Sequence, residues 1–134
     1  MYVCLNINGK LKWKTAVRGG IVADSPALSE DGKLYFGCFD GRLYALDTVN
    51  DREIWIFNTG DKIYTTPCIG QDGTVYIGSN NGKLYAVDGK DGGKLGEFYI
   101  APFLQSSPAI TLDSTIYLNA RDGRVFCIPR ELIR

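Results

Sequence analysis

Short apolar runs separated by polar turn residues recur along this chain at a fixed interval. Residues 31–47 read DGKLYFGCFDGRLYALD, two runs of strand length, each with a tyrosine, joined at Asp40-Gly41. The layout returns at 72–88 as DGTVYIGSNNGKLYAVD and at 113–129 as DSTIYLNARDGRVFCIP. Successive copies start 41 residues apart with no insertion between them. An Asp-Gly pair accepts φ > 0 at both central turn positions, so each copy is expected to be a β-hairpin closed by a tight two-residue turn. A period near 40 residues built from short strands predicts propeller blades.

Each unit reads as four strands. The first opens at Ser25-Pro26-Ala27, Thr66-Pro67-Cys68 and Ser107-Pro108-Ala109, where proline is tolerated because its missing N–H can face away from the ladder. The second is expected over 33–38, 74–79 and 115–120, with Tyr35, Tyr76 and Tyr117 on one face and aliphatic or aromatic residues on the other. Both faces are apolar, so this strand is expected to be covered on both sides in every unit. The third strand follows over 42–46, 83–87 and 124–128. The fourth runs over 53–58, carrying Trp55, and more weakly over 95–100. Residues 2–5 and 10–17, with Trp13, match the third and fourth strands of a preceding unit. The fold class is therefore all-β: a β-propeller of four-stranded antiparallel blades, about three per chain, with the ring incomplete in one chain. A partial blade spans 1–18, blades span 24–60 and 65–101, and a partial blade spans 106–129. No helix is expected.

Composition narrows the function classes. At 134 residues the chain has the length of one domain. Its 15 basic and 15 acidic residues balance, which argues against nucleic acid or an acidic membrane surface as partner. No apolar run reaches the length of a membrane span. The N-terminal stretch MYVCLNINGKLKWK has no secretory h-region, so the chain is expected to be cytoplasmic if complete; as part of a longer protein its compartment stays open, the periplasm included. There is no histidine, which removes the commonest general base and metal ligand. The cysteines at 4, 38, 68 and 127 form no C-x-x-C pair. Each falls where other repeats carry alanine or serine: Cys38 with Ser79 and Ala120, Cys68 with Ala27 and Ala109, Cys4 and Cys127 with Ala45 and Ala86. They read as small buried hydrophobes.

At Ala45-Leu46-Asp47 followed by Trp55, the residues resemble the repeat of pyrroloquinoline-quinone-type (PQQ-like) β-propellers, A-x-D-x-x-x-G-x-x-x-W. The first full unit has Asp51 where the motif has glycine. The second has Ala86, Asp88 and Gly92, but Gly96 where the motif has tryptophan. Asn6, Gly9 and Trp13 form a copy one residue short, and Pro129 replaces the aspartate in the last unit. The resemblance implies that Trp13 and Trp55 dock between blades while Asp47, Asp88 and Gly92 shape the turns, a structural role. It also implies a possible quinoprotein dehydrogenase, whose enzymes close a full ring around the quinone, hold calcium beside it and often carry a disulfide of adjacent cysteines. This chain has too few blades and no adjacent cysteine pair, so neither PQQ nor calcium is expected as a cofactor.

Other chemistry finds little support. Asp31, Asp40, Asp72, Asp113 and Asp122 precede Gly or Ser in turns and do not follow the spacing of a calcium loop. Ser25 and Ser107 have no base to activate them. No catalytic, cofactor or metal residue is assigned. Three twisted blades cannot ring an axis, since propellers close at about four to eight. Two chains would supply about six. The candidate assembly edges are the strands with Leu11 and Trp13 at one end and Val125 and Cys127 at the other. The expected function is a non-enzymatic scaffold or protein-interaction module, completed by self-association as a homodimer or by flanking propeller sequence. The alternatives are a fragment of a larger quinoprotein dehydrogenase, a ligand-sensing propeller, or part of an outer-membrane assembly or envelope propeller.

Overall fold

The computed structural model describes residues 2–5, 7–15 and 25–133, and at 2–4 and 13–15 the backbone alone. Expectations for residues 16–24 and for the Cys4 and Trp13 side chains lie outside it. Strands β1 (Tyr2–Leu5) and β2 (Leu11–Thr15) form a first, two-stranded sheet. The second sheet runs β3 (Ala27–Leu28), β4 (Lys33–Gly37), β5 (Arg42–Asp47), β6 (Arg52–Asn58) in that order. The third repeats it with β7 (Cys68–Ile69), β8 (Thr74–Gly78), β9 (Lys83–Asp88) and β10 (Lys94–Tyr99). The fourth has β11 (Ala109–Ile110), β12 (Thr115–Asn119) and β13 (Val125–Pro129), and no outer strand among the described residues. A single 3₁₀ turn, Arg130–Leu132, follows among the described residues.

The register follows from the repeat. Tyr35 lies opposite Ala45, Tyr76 opposite Ala86 and Tyr117 opposite Cys127, so each bulky ring has a small cross-strand neighbour. Strand ends differ from the pattern-based expectation by one or two residues, as backbone pairing stops at the turn rather than at the last apolar residue.

The hairpin turns are not the two-residue kind. Gly41 has φ 86°, but Asp40, Asn81 and Asp122 are not among the positive-φ residues. Cys38 N–H donates to Arg42 C=O at 3.0 Å, and Gly41 N–H donates to Cys38 C=O at 3.1 Å. This is a three-residue loop, a type I turn followed by one left-handed residue. The aspartate keeps ordinary geometry because its carboxylate is used: Arg42 N–H donates to Asp40 Oδ1 at 2.9 Å. The pattern repeats at Ser79–Lys83 and Ala120–Arg124.

Two apolar seams hold the sheets face to face. Tyr35, Leu43, Ala45 and Trp55 of the second sheet pack on Val75, Ile77, Tyr85 and Val87 of the third, around Ile63. Tyr76, Leu84 and Ala86 on the third sheet's other face pack on Ile116, Leu118 and Ile128 of the fourth, around Leu104 and Ile133. Every residue of β8 is buried as a result. The second sheet also buries Phe36, Cys38, Tyr44 and Leu46 on its remaining face, with the Phe36 and Tyr44 rings stacked at 5.4 Å.

Two expectations are corrected in the fourth sheet. Its second strand is covered on one face only: Ile116 and Leu118 are buried, whereas Tyr117 is 41% exposed. Cys127 is exposed, unlike Cys38, which is buried, and Cys68, which is half-buried. Burial pushes the Cys38 thiol up to about 11 and that of Cys68 up to about 12. The physical reason for both corrections is that no further sheet covers the Tyr117 face among the described residues.

Asp51 holds φ 63° at the position where Gly92, φ 76°, sits one repeat later. A left-handed non-glycine residue costs about 1 kcal/mol. Asp51→Gly is therefore expected to raise stability by about 0.5–1 kcal/mol, read as a higher urea midpoint at unchanged slope.

Candidate functional site

The most developed contact between repeats lies where β6 meets the turn after β9. Asp88 starts that turn: its Oδ1 accepts Lys90 N–H at 2.9 Å, and its backbone C=O accepts Gly92 N–H at 2.9 Å. The folded turn leaves the Gly89 carbonyl facing the neighbouring sheet. Trp55 Nε1–H donates to it at 3.0 Å and the Tyr35 hydroxyl at 3.3 Å. The Tyr35 and Trp55 rings lie 5.6 Å apart. Burial, with Asp31 and Asp88 adding to it, pushes the Tyr35 hydroxyl up to about 12, so it stays a donor throughout the physiological range. Gly92 lies flat against the indole, and a Cβ there would come within 2.7 Å of it. Asp88, Gly92 and Trp55 are thus brought together from two repeats.

Asp47 starts the equivalent turn of its own sheet. Its Oδ1 accepts Val49 N–H at 2.9 Å and Asn50 N–H at 3.1 Å, and its Oδ2 accepts the Asn50 side-chain amide at 2.8 Å. The Asn50 amide, followed by the backbone donors, holds its carboxyl below the usual carboxylate range. The remaining docking candidate, Trp13, occupies β2 opposite Cys4, and its side chain lies outside the described residues. The other end of the seam is sewn by polar contacts. Thr59 Oγ1 donates to Gly41 C=O at 2.8 Å, while the Tyr85 hydroxyl and the Asn81 amide donate to Thr59 C=O at 3.2 and 3.0 Å.

The strand-centred reading missed Ile63 and Leu104, both wholly buried in the connections between sheets. A Cβ on Gly37 would strike Ile63 at 2.3 Å, and one on Gly78 would touch Leu104 at 3.3 Å. Their signal was present: both stand four residues before the prolines that open the next unit, Pro67 and Pro108.

The proposed assembly edges are not joined within the chain. Leu11, 55% exposed, belongs to the first sheet, while Val125, 67% exposed, and Cys127 belong to the fourth. Among the described residues the outer edge of β13 carries no strand, in contrast to β5 and β9. An 850 Å³ cleft opens at the turn end between the second and third sheets, lined by Asp31, Lys33, Asp72 and Lys90 among others. Arg130 pairs with Asp72 at its rim, 3.4 Å away. Among the described residues no three His, Cys, Asp or Glu side chains converge as a metal site would need. Among them also, no helix is long and apolar enough to cross a membrane.

Four-stranded antiparallel sheets, repeated along the chain and packed face to face, define a β-propeller repeat protein. The family model described as outer membrane protein assembly factor BamB matches residues 1–128, and the chain belongs to this PQQ-like repeat family. The crystal structure of BamB from Moraxella catarrhalis is similar, with TM-score 0.79 and 17% identity over 92% of this chain and 39% of that one. The WD40 β-propeller domain of Doa1 is similar at TM-score 0.76 and 14% identity, over 88% of this chain and 40% of that one. The chain thus spans about two fifths of the length of each. No curated protein matches the sequence.

Two outcomes test the seam. Gly92→Ala places a methyl in the indole at a left-handed φ and is expected to destabilise by about 2–3 kcal/mol in urea denaturation. Because the Asp47 carboxyl is lowered in the fold, its contribution is complete above the usual carboxylate range and is lost as pH falls through the folded value. The difference in thermal midpoint between the natural chain and Asp47→Asn should therefore be largest near neutral pH and shrink between about pH 5 and pH 2. A constant difference would remove the carboxylate from the account.

Proposed function

We propose that this chain is a non-enzymatic scaffold or protein-interaction module, which completes its propeller by pairing with a second copy of itself. The observation that carries this reading is the fourth sheet. Its Tyr117 face is exposed where Tyr35 and Tyr76 are 2% and 0% exposed, and among the described residues its edge lacks the strand that β6 and β10 supply elsewhere. A sheet with one dry and one wet apolar face, and an open ladder, favours association. The description of the matched family as an assembly factor accords with an interaction role. The balanced charge favours a protein partner over nucleic acid or membrane. In this reading the module binds neither PQQ nor calcium, because the acidic residues along its turns are occupied by backbone N–H groups.

Solution mass by light scattering on a sizing column, across a tenfold dilution, is the test. The expected result is a mass twice that of the chain, unchanged on dilution. A compact monomer at every concentration would overturn the self-association.

A further inference from the structure

We infer that the outer strand missing from the fourth sheet is β2 of a second copy, with Trp13 of that copy opposite Cys127. This rests on the self-association proposed above and adds which strands meet and in which register.

The register is written three times in the chain. Ala45 lies opposite Trp55 in β5–β6, Ala86 opposite Gly96 in β9–β10, and Cys4 opposite Trp13 in β1–β2. In each pair the ladder slips by one residue immediately beyond that position. Outer strands in this repeat therefore add to third-type strands in one way. Cys127 holds the equivalent position in β13, opposite Tyr117 on its inner side and, among the described residues, opposite no strand on its outer side.

The sequence of β13 selects β2 as the partner. Aligned on the cysteine, β1 reads Tyr-Val-Cys-Leu and β13 reads Val-Phe-Cys-Ile, whereas β5 and β9 carry alanine there. Of the four third-type strands among the described residues, β1 and β13 alone have cysteine at this point, so β2 would face the same residue type at this position in either pairing. The exposed residues agree with an unfilled pairing. Val125 is 67% exposed where Leu43 and Leu84 are wholly buried, and Leu11 on β2 is 55% exposed. About three blades cannot ring an axis, so these residues by themselves leave the β13 edge to be filled from elsewhere. In the exchange β2 leaves β1 for another third-type neighbour of the same direction, so its own ladder is replaced while β1 becomes the open edge.

The test uses the thiol already at position 127. Directly opposed residues of an antiparallel pair have Cα atoms about 4.5–5.5 Å apart, within disulfide reach. In Cys4→Ala/Trp13→Cys, the Cys4 change removes the competing thiol within the hairpin and installs the alanine found in β5 and β9. Incubated with oxidised glutathione, this variant is expected to double in mass on non-reducing denaturing gels, with peptide mapping locating the bond between positions 13 and 127 of different chains. Adding Cys127→Ser should abolish the doubling. To keep Trp13 in place, Thr15→Cys/Val125→Cys in the Cys4→Ala background probes the next same-face pair of the same register. A dimer by light scattering that forms neither cross-link overturns this strand pairing and leaves self-association standing. A monomer, or a bond closed within one chain, overturns it as well, and the monomer takes the self-association with it.

Discussion

A β-sheet that is apolar on both faces, as the β7–β10 sheet is, can exist in water only with a sheet on either side, and that requirement orders the whole molecule. Tyr76 points one way and Val75 and Ile77 the other, and all three are fully buried. Burying a side chain of this size contributes about 1.5–3 kcal/mol. An exposed ion pair such as Lys83–Glu97, at 3.0 Å, is worth about 0–1 kcal/mol. The seams therefore outweigh the surface charges, and the balanced set of acids and bases decorates a structure that apolar contact has already determined. The same term sets the β11–β13 sheet apart from the others. Its Tyr117 face has no covering sheet among the described residues.

Much of this was legible in the sequence because the repeat does the work of an alignment. Three copies at 41-residue spacing show which positions are strand, which are turn and which must be small, and the Tyr–Ala cross-strand pairs follow from the same overlay. What failed has specific causes. An Asp-Gly pair permits a two-residue turn, but it also permits a type I turn closed by a left-handed glycine, and the side-chain bond from Asp40 to Arg42 N–H favours the second. The covering of Tyr117 and Cys127 is expected by analogy with the other repeats, and the analogy breaks because no further sheet packs on that face among the described residues. Ile63 and Leu104 escaped because apolar residues in connections carry no strand periodicity.

The two seams also show how loosely the repeat motif is tied to the fold. Between the second and third sheets the motif is assembled from two units, with Trp55 from one and Asp88 and Gly92 from the next. Between the third and fourth sheets the tryptophan position is Gly96, yet that seam is dry. Leu104, 0% exposed, lies in it as Ile63 lies in the first seam, and Ile133, 1% exposed, is added from outside the strands. An indole that reaches a carbonyl 3.0 Å away and a cluster of aliphatic side chains are different solutions to one geometric need, filling the wedge between twisted sheets. The motif residues are therefore joinery. Their presence marks descent from a blade-building repeat, and their loss in one unit is tolerated wherever neighbouring apolar residues can close the same gap, so a match to the motif says how the sheets are fastened and leaves the chemistry of any bound partner to the faces and edges that the fastening leaves open.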